Sequence, residues 1–221
     1  MYAPELGIEG FFRIVSDAPA HGPGGPASPD ADLQLMPHIG WANAIPDGCA
    51  EAAFTINGSL FTLSGRGYHD KNWGDQVFSD SVGSWYWGHA RLGKYSIVWF
   101  DALDQTGHRY TSSYVASNGK ILVASHDGGD IHLRPFGAGT SYPPHISDNS
   151  PEGFHIIMSV PDLGTINATV TTDQSILGAF PRSPYRRWAG RITGTVEAGT
   201  VEAGKEVISG VTSFEQFTFD P

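Results

Sequence analysis

The chain has 221 residues, with 28 glycines, 15 prolines and only 16% charged side chains, which favours a turn-rich strand protein over a helical bundle. Lys and Arg number 13 against 23 Asp and Glu, and the formal net charge of −10 argues against a nucleic-acid partner. No apolar run is long enough to cross a bilayer, and the N-terminus lacks a basic region followed by an apolar one. Cys49 is the only cysteine, so no internal disulfide can form, and a reduced, cytoplasmic protein is expected.

Gly10 to Val15 reads as a first strand, and His21 to Asp32, rich in Gly, Pro and Ala, as a loop and a domain boundary. Ala52–Ile56 and Leu60–Leu63 flank Asn57-Gly58, a strong hairpin signal. Ser84–Leu92 and Tyr95–Ala102 flank Gly93-Lys94. Arg109–Ala116 and Lys120–Ser125 flank Asn118-Gly119. Asp130–Arg134 adds a strand, and Gly137–Gly153, with Pro143, Pro144 and Pro151, is a long loop. Two further pairs follow, Phe154–Val160 with Thr165–Thr172, then Tyr185–Val196 with Val207–Phe219. A five-residue duplication, Gly194–Ala198 and Gly199–Ala203, lengthens the last hairpin tip. Successive hairpins predict an all-β antiparallel barrel or sandwich.

The stretch Gly65-Arg66-Gly67-Tyr68-His69-Asp70-Lys71-Asn72-Trp73-Gly74 holds the densest mixture of reactive side chains. Its glycines allow a turn or a close backbone approach at either end. The plainer alternative is a strand–turn in which Asp70 and Asn72 bond local backbone and Trp73 fills core. A metal centre is not expected, because the nine histidines show no ligand spacing.

The aromatic hairpin has two registers. Alternation puts Trp85, Trp87, His89 and Arg91 on one face, and Tyr95, Ile97, Trp99 and Asp101 on one face of the next strand. A strict two-residue loop pairs His89 with Val98 and Gly88 with Trp99, and sets the two aromatic faces on opposite sides. One bulged residue instead brings Trp87, His89, Trp99 and Asp101 together. The expected site is one concave cavity lined by Trp73, Trp85 or Trp87, Trp99 and Asp101 beside a His69–Trp73 loop. The alternative is a core cluster with Asp101 at its rim, paired to Arg91 or Lys94.

Gly67–Gly74, followed by Trp85-Tyr86-Trp87-Gly88-His89-Ala90-Arg91 and Trp99-Phe100-Asp101, resembles the fungal decalin-forming Diels–Alderases of polyketide–peptide pathways. Ser16–His21, Met36–Asn43 and Phe214-Glu215-Gln216-Phe217 carry the same resemblance. The carotenoid 1,2-hydratases are more distantly similar. The resemblance implies a lipocalin-like barrel over residues 33–221, with residues 1–32 as the remnant and linker of a preceding β domain. It also implies a substrate pocket between the two domains, half of it supplied by an N-terminal domain or a second chain. A tyrosine that follows Ala-Pro-Ala-His in the family is Gly22 here.

The implied activity is a cofactor-free intramolecular cycloaddition of a linear polyene, such as a polyenoyl tetramic acid. Orientation alone can supply as much as roughly 7–11 kcal/mol in such a reaction. On this reading Trp73, Asn72, Lys71 and Asp101 are the candidate catalytic groups. Tyr68, His69, Asp70, Trp85, Trp87, His89 and Trp99 are the candidate substrate-binding groups. Two alternatives stand beside it. A hydratase or isomerase would use Asp101 as general acid, although Lys71 replaces the second histidine of the hydratase motif. A non-catalytic barrel would only bind an apolar ligand.

Overall fold

The computed structural model describes residues 1–197 and 207–219. The strands among the described residues form two antiparallel sheets. The first holds β1 (Tyr2–Ala3), β2 (Ile8–Ser16), β3 (Gln34–Met36), β4 (Ile39–Ile56) and β5 (Ser59–Gly74). A four-residue helix, α1 (Phe78–Ser81), leads into the second sheet. That sheet comprises β6 (Val82–Leu92), β7 (Tyr95–Asp104), β8 (Arg109–Ser117), β9 (Lys120–Ser125) and β10 (Ile131–Phe136). It continues with β11 (Gly153–Val160), β12 (Gly164–Leu177), β13 (Tyr185–Glu197) and β14 (Ile208–Thr218). Its order is β10-β11-β12-β13-β14-β6-β7-β8-β9.

The hairpin turns act as their sequences dictate. Asn57 and Gly58 have φ of 48° and 81°, and Asn118 and Gly119 have 51° and 71°, the left-handed pair that a two-residue hairpin turn demands. The β4–β5 hairpin extends far beyond the segments that flank its turn, and all of Gly65–Gly74 lies in β5. The expected His69–Trp73 loop is therefore a strand. Gly67 serves close approach: a Cβ there would sit 2.9 Å from both Ala50 and Ile14 side-chain carbons.

Of the residues from Leu33 onward, Ile39–Gly74 lies in the first sheet and the nine-stranded sheet starts at Val82. Across His21–Asp32, β2 pairs with β4. The duplicated Gly194–Ala203 enters β13 only through Glu197, and its remainder lies outside the described residues.

The nine-stranded sheet curls around a core that includes Leu92, Trp99, Val115, Leu133, Phe154, Trp188 and Phe214. Arg109 on β8 donates to the carbonyl of Gly128 and, at 2.9 Å, to that of Ile131 at the start of β10. A second core lies between the sheets, where Met36, Ile39 and Trp41 pack on Trp85, Trp87, Val98, Phe100 and Tyr114.

Two polar devices hold the sheets together. Asp47, nearly buried, receives Arg66 from β5, Arg91 from β6 and, at 2.7 Å, the Ser96 hydroxyl from β7. His21 is 1% exposed, stacks on Tyr114 at 3.7 Å, and sets Nε2 3.0 Å from Asn43 Oδ1. Burial lowers the His21 pKa from 6.5 to about 4. Below pH 6.5 the unfolded chain gains a proton that the folded chain refuses. His21 thus contributes stability above that pH, and the contribution is lost as pH falls toward 4, a loss on the order of 3 kcal/mol. Chemical denaturation across that range is expected to show this slope, and His21→Gln to flatten it.

The β2–β4–β5 end has one mostly apolar face. The register aligns Phe12, Ala52 and Leu63 in one row and Phe54 with Phe61 in the next, with Ile8, Ile56 and Ser59 beyond. Phe12 is 58% exposed and Phe61 52%, so the large side chains of this face are open.

Candidate functional site

The hairpin register is the strict two-residue one, with Gly88 opposite Trp99 and His89 opposite Val98. The expected shared cavity is therefore not formed. Trp99 faces the core of the curled sheet, while Trp85 and Trp87 face the first sheet. Asp101 lies with Trp99 at the end of the curled core and is 1% exposed. Arg109 holds it with two hydrogen bonds, of 3.0 and 2.9 Å, and the Tyr142 hydroxyl donates at 2.8 Å. Its partner is neither Arg91 nor Lys94. This carboxylate ties β7 to β8 and to Tyr142. Asp101→Asn is expected to cost about 3–5 kcal/mol of stability, as a broken buried ion pair does. Turnover per folded molecule should be unchanged, which denaturation curves and active-fraction assays would check.

The opposite face of β6 builds a different site. On β5, Tyr68 and Asp70 turn toward the second sheet, while His69 and Lys71 are exposed on the other face. Asp70 Oδ2 accepts the Trp41 indole N–H at 2.8 Å and the Tyr68 hydroxyl at 3.0 Å. The Tyr68 ring stacks on His89 at 4.3 Å and meets Trp87 edge-on at 5.1 Å. Burial, with the Arg187 charge beside it, lowers the His89 pKa to about 3, so the imidazole is neutral. Tyr68, Asp70, Trp87 and His89 are thus brought together as a polar and aromatic seam between the sheets.

This seam abuts a cleft of about 440 Å³ between β5 and the β13–β14 pair. Asn72, Trp73, Ile39 and Phe78 line one side, and Tyr185, Arg187, Glu215 and Phe217 the other. The Trp73 indole lies across Gly40, where a Cβ would come within 2.4 Å of the ring. It also borders a second hollow of about 350 Å³ formed by Leu33, Gln34, His38 and Asp75. Of the expected catalytic residues, Trp73 and Asn72 reach the cleft, and Lys71 and Asp101 do not. Trp85 lies behind its wall, 5.3 Å from Phe78 between ring centres.

The chemistry of the cleft centres on Glu215, only 7% exposed. Glu215 Oε2 accepts the Tyr185 hydroxyl at 2.9 Å and pairs with Arg187 at 3.0 Å. Both of these contacts end on Oε2. Burial pushes the Glu215 carboxyl up from the ordinary carboxylate range, against the pull of Arg187 and Tyr185. Arg187 also lies over the Trp87 ring at 5.2 Å. The sequence reading missed Tyr185, Arg187 and Trp41, and gave Glu215 no role. The signal was present: alternation sets Glu215 on the same strand face as Val211, Phe217 and Phe219. Among the described residues no group of three metal-ligating side chains converges, and no helix is long and apolar enough to cross a membrane.

An aromatic cleft with a buried, hydrogen-bonded carboxyl thus lies between the two antiparallel sheets. The chain belongs to the Diels-Alderase-like family, whose model matches residues 2–133. It is 35% identical over 90% of its length to the quinolone epoxide rearrangement protein penF of Penicillium thymicola. It is 36% identical over 69% of its length to asqO, of the same description, from Emericella nidulans. The chain spans about half the length of these curated relatives, 54% and 42%. In fold it is similar to CghA, solved with Sch210972, with a TM-score of 0.73 over 99% of this chain and 63% of that one, at 14% identity.

Proposed function

We propose that this chain carries the acid-bearing part of a cofactor-free isomerase that rearranges an oxygenated, apolar secondary metabolite, an epoxide first among the candidates. The observation that carries this reading is Glu215, a buried carboxyl held through one oxygen at the wall of the aromatic cleft. The curated relatives' description as epoxide rearrangement proteins supports the same chemistry. In the proposed step, the Glu215 O–H proton passes to the epoxide oxygen as a C–O bond breaks. A neighbouring bond migrates to the electron-deficient carbon, and a proton is lost back to the Glu215 carboxylate. The Trp73 face stabilises positive charge in that interval. Tyr185 and Arg187 stabilise the carboxylate.

A second reading is the intramolecular cycloaddition of a polyene to a decalin. The family and the apolar walls Ile39, Phe78, Trp73 and Phe217 favour it. Asn72 would then polarise the dienophile carbonyl, and shape would do most of the work. Under either reading a further β domain, in the same polypeptide or a second one, covers the bare apolar face of β2–β4–β5. The extra length of the relatives supports that domain.

Incubation of the chain and its complementing domain with an epoxide and with a linear polyene tests the reading. Both isomerisations leave the product mass unchanged, whereas hydration adds one water. Turnover of the epoxide alone, lost in Glu215→Gln, is the expected result. Turnover of the polyene that survives Glu215→Gln would establish the cycloaddition. Trp73→Phe is expected to keep much of either activity and Trp73→Ala to lose most of it, as kcat against the two substrates would show.

A further inference from the structure

The face of β6 that looks toward the cleft holds a buried donor without an acceptor. Trp85 is 0% exposed, and its Nε1–H has no hydrogen-bond partner. Phe100 at 4.6 Å, Phe78 at 5.3 Å and Phe217 at 6.3 Å box the ring in, so the indole cannot swing out to water. Buried polar groups are nearly always paired, and an orphan of this kind asks for an explanation.

Its neighbour supplies one. Glu215 stands directly opposite Trp87, and Phe217 opposite Trp85, which makes Glu215 the diagonal neighbour of Trp85 across the β14–β6 ladder. Diagonal pairs lie within reach of a long aromatic side chain. The contacts of Glu215 with Tyr185 and Arg187 both end on Oε2, which leaves Oε1 as the oxygen open to a further donor. The Trp85 indole N–H is near enough to act as a donor to Glu215, and that influence pulls the Glu215 pKa down.

We propose that Trp85 is a positioning residue for Glu215: its indole N–H closes onto the carboxylate that remains once Glu215 has given up its proton. This rests on the reading of Glu215 as proton donor. The orphan then has a purpose. While Glu215 is protonated its carboxyl is only a weak acceptor for that indole. When the proton leaves, the carboxylate gains a third donor beside Tyr185 and Arg187, and the charged state is stabilised where it forms. The other groups that face Glu215 are Tyr185 and Arg187 from β13 and Asp70 from β5, with the Tyr68 hydroxyl near enough to feel its charge. The second orphan, Trp87 Nε1, interacts with the Tyr68 hydroxyl instead, so the two indoles are not equivalent.

The test reads the Glu215 carboxyl itself, by carbon-13 NMR of protein labelled at glutamate, with Glu215→Gln identifying the signal. Trp85→Phe removes the donor. Replacing Trp85 by 3-benzothienylalanine keeps the ring shape, puts sulfur where the N–H was, and covers the case in which the phenylalanine variant does not fold. The expected result is a titration midpoint raised by roughly one unit in both variants. The alkaline limb of the pH–rate profile should move up with it, because the acid holds its proton longer. Trp87→Phe should leave the midpoint nearly in place. A midpoint unchanged by benzothienylalanine, or moved equally by Trp87→Phe, would overturn the proposal. The titration needs no turnover, so failure of the proton-donor reading is seen separately, as activity that survives Glu215→Gln.

Discussion

Glu215→Gln is expected to lower kcat by roughly a hundred- to ten-thousand-fold, the usual contribution of a general acid. The amide keeps the size of the side chain and its contact with Tyr185 but carries no transferable proton. Circular dichroism should show an unchanged fold, and initial rates should show the loss in kcat more than in KM. The wild-type rate should fall with rising pH. The proton-donating form is lost as pH passes the Glu215 pKa, which burial has raised. Tyr185→Phe removes one bond to Oε2 and is expected to move that alkaline limb upward.

The second large effect concerns the uncovered face. The chain by itself is expected to turn over substrate poorly, and addition of the complementing β domain to restore it. Phe12, Phe61 and Leu63 are each about half exposed or more, at 58%, 52% and 47%. Burying a side chain of this kind fully is worth about 1.5–3 kcal/mol. A domain that covers the row therefore gains several such increments, and β5 continues from this face directly into the cleft. Leu63→Asp places a charge at the β5 end of the row, about 30 Å along β5 from Asn72 at the strand's rise per residue. It should abolish association, measured by calorimetry or co-purification. Loss of turnover with it would tie the complementing domain to a working cleft.

The sequence made the strands legible and the site only partly so. Turn chemistry at Asn57-Gly58 and Asn118-Gly119 placed the hairpin turns where they are observed, because φ above zero at two successive residues allows few alternatives, but not how far the strands run. The aromatic hairpin shows the limit. Both registers obey alternation, and one residue of slip decides whether Trp87 and Asp101 share a face. Asp101 attracted notice as an acid among indoles, yet its meaning depends on Arg109, eight residues away across the β7–β8 turn. The segment at residues 65–74 was singled out for its mixed chemistry. That chemistry divides between two faces once the segment is a strand, with Tyr68 and Asp70 inward and His69 and Lys71 outward. Glu215 and Arg187 come from the last two strands and meet β5 only through tertiary folding. No local pattern joins them to Trp73.

The location of the bound substrate is the most direct test of the account. A crystal structure of the chain with its complementing domain and a product, or an unreactive epoxide analogue, would give it. The ligand is predicted to lie in the cleft between Trp73 and Glu215, with an oxygen within hydrogen-bond distance of Glu215 Oε1. A ligand inside the curled sheet, against Trp99 and Asp101, would contradict the account.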